Sequence, residues 1–493
     1  MSTMVKQLTA MDAAFLYQET AEVPMHVGSV TVFKLPDNYQ GSFYETFKQR
    51  IAERMHLAPV LSWKLQNAPF DLDHPSWVED EHFNIDRHIF RGSLPEPRNR
   101  ATAERIVGWI HAKLLNRARP LWELHVYEGL ENNEIITYMK IHHACIDGGA
   151  GSALMQILYD VTPLPDGVPA LQPSASDPAV PATGTADLAT GIPEMGSALF
   201  NSYMQMWQQP LKLMTQWPEM LKALPPLLTR LADPRALGEL MTMTSPPTPL
   251  NRAISSERSF AGTTLSLARV KAIAAKSGGK VNDVVLALSS GILRRYLLET
   301  GALPAQSLTA MIPVSLRQQG DAEANNQVMA MISPLATNIE DPKTRLGTII
   351  AESTKAKEMI NPFKALMPLY TSGTMLGAPI AVQIFAVLYS RSNLANVLTP
   401  MANVVISNVA GSRVPLYAAG AQMLHLYPVS IAAHGLGLNI TVQSYLDNMD
   451  FGLIAGANIL ADVRQLTDML PFELESLEEA YGIKEERVAD AIA

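Results

Sequence analysis

Residues Tyr138 to Gly151 read YMKIHHACIDGGAG, which sets two adjacent histidines, a cysteine and an aspartate at the mouth of a glycine-rich turn. These side chains can ligate metals, attack carbonyls or move protons. A metal site fits poorly, because adjacent strand residues point apart and no second histidine pair stands at the helical i, i+4 spacing. Cys145 lies inside the turn between His143 and Asp147, where a small packing residue is more natural than an activated nucleophile. A satisfied structural histidine pair is a further alternative. The remaining chemistry is general-base catalysis. A histidine at a strand end, open to a cleft, takes the proton of an acceptor hydroxyl, and the aspartate four residues on fixes the local geometry.

The flanking segments must position that turn. Residues 101–117 space Ile106, Ile110 and Leu114 four apart, an amphipathic helix pattern. Two strand-like runs follow, LWELHVYEG and EIITYMKIHH, separated by the turn-prone LENNE. In the second run Ile135, Met139, Ile141 and His143 share one face and Tyr138, Lys140 and His142 the other. Gly148, Gly149 and Gly151 permit a tight strand-to-helix turn, and SALMQILYD resumes helical spacing. Residues 161–193 read as a Pro/Ala/Ser/Gly-rich linker, and 194–231 as a Met- and Trp-rich stretch, with Trp207 and Trp217, broken by prolines. After a second break at 244–251, strand-like SFAGTTLSL, helical ARVKAIAAKSG, the helix VNDVVLALSSGILRRYLLET and strand-like LTAMIPVSLR restart an α/β alternation. No repeat of fixed period relates the two halves.

At 493 residues with 47% apolar content, two domains are expected. The net charge of −9 is dispersed and no Lys/Arg block would attract nucleic acid. One cysteine excludes an internal disulfide framework, and the N-terminus lacks the basic and apolar regions of a signal peptide, so a cytoplasmic protein is expected. Residues 365–390 carry no formal charge and are long enough to cross a bilayer, but Pro368, Pro379 and Gln383 favour a buried or interfacial role.

HHACIDG fits His-His-x-x-x-Asp-Gly and resembles the motif of the CoA-dependent acyltransferase superfamily. RPLWE (119–123), VNDVVLA (281–287), MIPVSLR (311–317), LTAMDAAFLYQETAEVPMHVGSV, NVVISNVAG (403–411) and LYPVSIAAHGLGLNITVQSY (426–445) together resemble the bacterial wax ester synthase/diacylglycerol acyltransferase family. The resemblance implies an α/β fold of two chloramphenicol-acetyltransferase-like domains with the active site in a tunnel at their interface. The linker and the second break divide the chain into an N-terminal domain at 1–193, a connector at 194–251 and a C-terminal domain at 252–493. By the resemblance, the two end segments are the acyltransferase-like domains. The resemblance also implies His143 as catalytic base, Asp147 as a structural acid, Gly148 as the turn residue and Arg317 as the ion-pair partner of Asp147. His142 supports the turn or takes a direct part. Asn282 is a candidate oxyanion donor, with a helix N-cap pair formed with Asp283 as its structural alternative. Pro120, Leu121 and Trp122 either contact substrate or pack. His434 has no assigned role.

The expected reaction moves a fatty acyl group from acyl-CoA, a substrate, to a fatty alcohol or diacylglycerol. It needs no cofactor, no metal and no covalent intermediate. Expected partners are these lipids and a membrane or lipid-droplet surface, met peripherally. A non-catalytic lipid-binding protein and a condensation-type transferase with another acceptor are the alternatives.

Overall fold

The computed structural model describes residues 4–68, 74–146, 148–163, 245–315, 328–360, 394–396 and 399–483. The first half runs β1 (Met4–Gln7), α1 (Ala10–Gln18), β2 (His26–Lys34), α2 (Phe43–Arg54), β3 (Trp63–Gln66), β4 (Ser76–Glu79), β5 (Ile89–Ser93), α3 (Arg100–His111), β6 (Trp122–Glu128), β7 (Glu134–His142) and α4 (Gly148–Leu158). The second half runs β8 (Arg258–Ser266), α5 (Leu267–Ser277), α6 (Val281–Glu299), β9 (Thr309–Ser315), β10 (Val328–Pro334), α7 (Pro342–Ile360), β11 (Val404–Val409), β12 (Tyr417–Ala418), β13 (Ala421–Val429), β14 (Leu438–Tyr445), β15 (Asn448–Gly456), α8 (Arg464–Thr467) and α9 (Leu470–Ala480).

Two six-stranded sheets carry the fold, in the orders β12-β13-β2-β7-β6-β5 and β10-β9-β11-β14-β15-β8, and β1, β4 and β3 form a small third sheet. The first large sheet is antiparallel except for the parallel β5–β6 pair. The second holds β11 parallel to both β9 and β14. One face of the second sheet buries Ala310, Ile312, Val404, Ile406, Ile440, Val442, Phe451 and Leu453 against α5, α6, α7 and α9. Alternation along each strand supplies that apolar face.

The halves interlock. β12 and β13 belong to the second half by sequence but complete the first sheet, with β13 pairing β2 from Gln422↔Lys34 to Val429↔Gly28. Where β13 passes over the second sheet the backbones come very close, and a Cβ at Gly452 would collide with the carbonyl oxygen of Pro428. A further cluster joins Val30, Val32, Val107 and Tyr138 of the first half to Phe260, Tyr427 and Ile454 of the second.

The strand reading of EIITYMKIHH holds, and its two faces separate as expected. Ile135, Met139 and Ile141 pack in the first-half core, whereas Tyr138 packs in the cluster between the halves. The helix expected over 101–117 ends earlier, at His111. The reason is local: buried Lys140 donates from Nζ to the carbonyls of Ile110 (3.2 Å) and Lys113 (3.0 Å), and so satisfies the carbonyls that a continuing helix would have used. Residues 194–231 and 365–390 lie outside the described residues. Among those described, no helix is long and apolar enough to cross a membrane.

Candidate active site

β7 delivers the histidine pair. His142 is its last residue and pairs with His26 of β2, and its amide donates to the Leu121 carbonyl at 2.9 Å. His143 opens the turn, with its amide donating to the Met25 carbonyl at 2.9 Å. The chain then curls back through Cys145 N–H, which donates to the His142 carbonyl at 2.9 Å, and α4 starts at Gly148.

The two imidazoles meet different surroundings, and one short helix supplies both. Phe15 of α1 stacks on the His143 ring, with centroids 4.1 Å apart and planes 11° from parallel. Four residues on, Glu19 caps the same helix and reaches His142. The i, i+4 spacing puts both residues on one helix face. His142 is fully buried, and its Nδ1 accepts from the Ala144 amide at 3.1 Å. That bond leaves the ring proton on Nε2, which lies 3.4 Å from Glu19 Oε1, a long contact of the right polarity.

Glu19 holds more than His142. Its Oε1 accepts from the Met25 amide at 3.1 Å and its Oε2 from Arg117 Nη2 at 2.9 Å. Burial alone would raise its pKa, but the His142 hydrogen bond, the Arg117 charge and the Met25 amide together bring it down to about 2. Glu19 is therefore an anion at neutral pH that ties α1 to His142 and to the Met25 peptide, whose carbonyl in turn holds the His143 backbone.

Behind β7 lies a buried polar scaffold. His26 Nε2 donates to the His111 carbonyl at 2.7 Å, and His111 Nδ1 meets the Tyr138 hydroxyl at 2.6 Å. Burial pushes the pKa of both imidazoles well down, so they are neutral. Lys140 lies 3.2 Å from Glu123. Burial lowers the Lys140 pKa against the pull of Glu123, and raises that of Glu123 against the opposing bonds from His125 and Lys140, which leave it lowered overall.

The other expected site residues fall into place unevenly. Asp147, Arg317 and hence their ion pair lie outside the described residues, and Gly148 is described only as the first residue of α4. Cys145 is buried, and desolvation first, with the Asp12 charge added, pushes its thiol pKa far up, which suits packing and not nucleophilic attack. Pro120, Leu121 and Trp122 are buried. The Trp122 indole donates to the Leu61 carbonyl at 2.7 Å and stacks on His88, while the Leu121 carbonyl anchors His142.

The expected N-cap pair needs correction. Lys280 is the cap of α6, which places Asn282 and Asp283 inside its first turn. Asp283 reaches back to the Lys280 amide (2.9 Å) and also accepts from the Ser353 hydroxyl (2.8 Å), so its carboxylate binds α6 to α7. Asn282 is half-buried beside it. His434 Nδ1 accepts from the Ile254 amide at 3.1 Å, a loop contact within the second half. Among the described residues no cluster of His, Cys, Asp or Glu could hold a metal ion.

Phe15, Glu19 and Met25 were not singled out from the sequence. The signal available was the i, i+4 pair Phe15–Glu19 at the end of a short apolar helix, but the contacts of these residues with the histidines span well over a hundred residues of chain and no local pattern announces them.

The chain resembles known proteins along its whole length. Residues 8–285 match the wax ester synthase/diacylglycerol acyltransferase catalytic domain, and residues 324–478 match the C-terminal domain of the same family. The O-acyltransferase WSD of Acinetobacter baylyi is 32% identical over 492 residues, covering 98% of this chain and 99% of that one. A Mycobacterium tuberculosis chain provisionally named as a diacylglycerol O-acyltransferase is also 32% identical, covering 97% of this chain and 100% of its own. Among solved structures, the wax ester synthase/diacylglycerol acyltransferase from Marinobacter aquaeolei VT8 superposes with a TM-score of 0.67 at 28% identity, covering 97% of this chain and 100% of that one. The first condensation domain of the calcium-dependent antibiotic synthetase shares the fold, with a TM-score of 0.54 at 14% identity and 97% of each chain covered. With both family domains matched in order and relatives aligned end to end, the chain belongs to the wax ester synthase/diacylglycerol acyltransferase family.

Proposed function

We propose that the protein transfers a long-chain acyl group from acyl-CoA to the hydroxyl of a fatty alcohol, diacylglycerol or both, with His143 as general base. The observation that carries this reading is the division of labour within the histidine pair. His142 is fixed by Glu19 and the Ala144 amide, whereas His143 sits just past the strand end with its backbone tied to Met25 and its ring laid against Phe15. A ring held in this way keeps one orientation. His143 takes the hydroxyl proton as the acceptor oxygen attacks the thioester carbonyl. The tetrahedral intermediate collapses, the C–S bond breaks, and His143 returns the proton to the departing CoA thiolate, so that ester and CoA leave in balance. The names of the relatives from Acinetobacter and Marinobacter support the same reaction class.

The acceptors are water-insoluble, so the same reading includes peripheral docking on a membrane or lipid-droplet surface, with the active site in a passage between the two halves. The test is CoA-thiol release from palmitoyl-CoA by the pure protein with hexadecanol or dioleoylglycerol. His143→Ala should lower turnover by about 100- to 10,000-fold with the fold intact, and His142→Ala should cost less turnover and more stability. Thiol release unchanged in His143→Ala would sink the assignment of the base. Silence of the wild type with every alcohol would leave a lipid-binding protein instead.

A further inference from the structure

The face of the second sheet turned away from its helical core changes character from one edge to the other. On β8 and β15 it is the packed contact with the first half: Phe260, Gly262 and Ile454 lie there, and a Cβ at Gly262 would press on the Tyr427 ring. The register carries this face onto β14, where Asn439 stands opposite Ile454, Thr441 opposite Gly452 and Gln443 opposite Asp450. One strand further, Ser407 of β11 is in register with Thr441. Apolar packing thus gives way on β14 to a stripe of hydroxyl and carboxamide groups, and on β11 the same face sets Ser407 between Val405 and Val409.

This stripe is anchored around the histidine turn. At one end Asn439 Nδ2 donates to the Ile431 carbonyl at 3.0 Å, and Ile431 packs on the same cluster as Phe15 and Met25, the two residues that hold His143. At the other end Gln443 Nε2 meets the thioether of Met155, on the helix that follows the turn, at 3.8 Å. Thr441 donates to Asn439 Oδ1 at 2.8 Å, which leaves its oxygen able to accept. Gln443 is only 9% exposed, and a weak N–H···S contact is the one hydrogen bond its side chain makes among the described residues. A carboxamide this deeply placed ordinarily has strong partners. Half-buried Ser407 stands on the same face beside Thr441, and Val409 beside Gln443.

We infer that Ser407, Thr441 and Gln443 form the wall that recognises the polar head of the acceptor, and that they favour a partial glyceride over an unbranched alcohol. The inference rests on the acyl-transfer reading above and deepens it. A diacylglycerol brings, next to its free hydroxyl, two ester groups whose carbonyls can only accept hydrogen bonds. The Ser407 hydroxyl and the Gln443 carboxamide offer the matching donors. An unbranched alcohol supplies one hydroxyl and nothing for the carboxamide, and a site built to bond a polar group discriminates against the analogue that lacks it.

The test measures kcat/KM for dioleoylglycerol and for hexadecanol, each with palmitoyl-CoA, in the wild type and in Ser407→Ala, Thr441→Val and Gln443→Met. The expected result is a fall of about tenfold in the diacylglycerol-to-hexadecanol ratio for Gln443→Met and a smaller fall for Ser407→Ala. A purely structural role would lower both activities together, so unchanged ratios in variants that retain turnover would overturn the inference while leaving the acyl-transfer reading intact. Should Gln443→Met fold poorly, Ser407→Ala, at a less buried position, decides the question by the same ratio. A wild type that releases no thiol with either acceptor overturns both readings at once.

Discussion

Glu19 and Glu104 show how two buried carboxylates of one chain come to opposite states. Glu104 is nine-tenths hidden, and desolvation raises its pKa despite the Gly262 amide and the Arg464 ion pair. Glu19 is as deeply placed, yet three donors outweigh its burial and hold its pKa at about 2. The stability consequence follows from the sign. A carboxyl whose folded pKa lies below its unfolded value of 4.5 stabilises the fold fully above about pH 4.5, and that contribution is lost as pH falls toward about 2. The difference is worth about 3 kcal/mol at neutral pH. Glu19→Gln, which keeps the shape and removes the charge, should therefore destabilise by about that amount at pH 7 and by roughly half of it at pH 3. Denaturant titrations of both proteins at the two pH values measure this directly. An equal deficit at both would mean that the residue acts by shape and not by charge.

At the scale of elements, what was legible in the sequence was what repeats locally. Period-two alternation in EIITYMKIHH revealed a strand, its two faces and a histidine at its end, and the glycines announced the turn into α4. The end of α3 was misjudged because the group that satisfies its last carbonyls, Lys140, comes from another strand. The α6 cap was placed two residues late for a similar reason: Asp283 looks like a cap, but it serves as the back-reaching carboxylate of the first turn and bonds α7 as well. The crossing of β13 over β15 was equally invisible, since Gly452 and Pro428 are ordinary residues until their backbones are stacked. That crossing makes a graded prediction. Gly452→Ala sets a methyl against the rigid Pro428 carbonyl, whereas Gly262→Ala sets one against the Tyr427 ring, which can shift. Overpacking costs about 1 to 3 kcal/mol, so Gly452→Ala should reach the upper end or beyond and Gly262→Ala should stay lower. Thermal melts of the two variants should rank in that order, and the reverse ranking would mean that the sheets part more easily than the ring moves.

For the whole molecule, the donation of β12 and β13 means that the first sheet is not complete within its own half of the sequence, whereas the second draws all six strands from its own half. Without β13, β2 would be a sheet edge with nine residues of unpaired backbone flanking buried Val30, Val32 and Phe33. Long apolar edges of that kind associate with one another. The second half would lose in turn the packing of Tyr427 and Val429 on Phe260 and Ile454, and the bond from the Leu426 amide to fully buried Asp450 at 2.7 Å. A buried carboxylate stripped of its donors costs more than the bonds themselves contribute. The two halves should therefore unfold as one cooperative unit, although a chain of this size more often separates into domains that melt independently. Two observables can be compared along one denaturant titration. Trp63, Trp77, Trp109 and Trp122 lie in the first half, so in a protein with Trp207 and Trp217 of the connector replaced by phenylalanine, tryptophan fluorescence reports the unfolding of that half. Hydrogen exchange of the β14–β15 amides reports the second. Coincident midpoints are the expected result. A β14–β15 pair that stays protected after the tryptophan signal has collapsed would show that β13 is a detachable strap and not a shared strand, and that the space between the halves can open without unfolding either one.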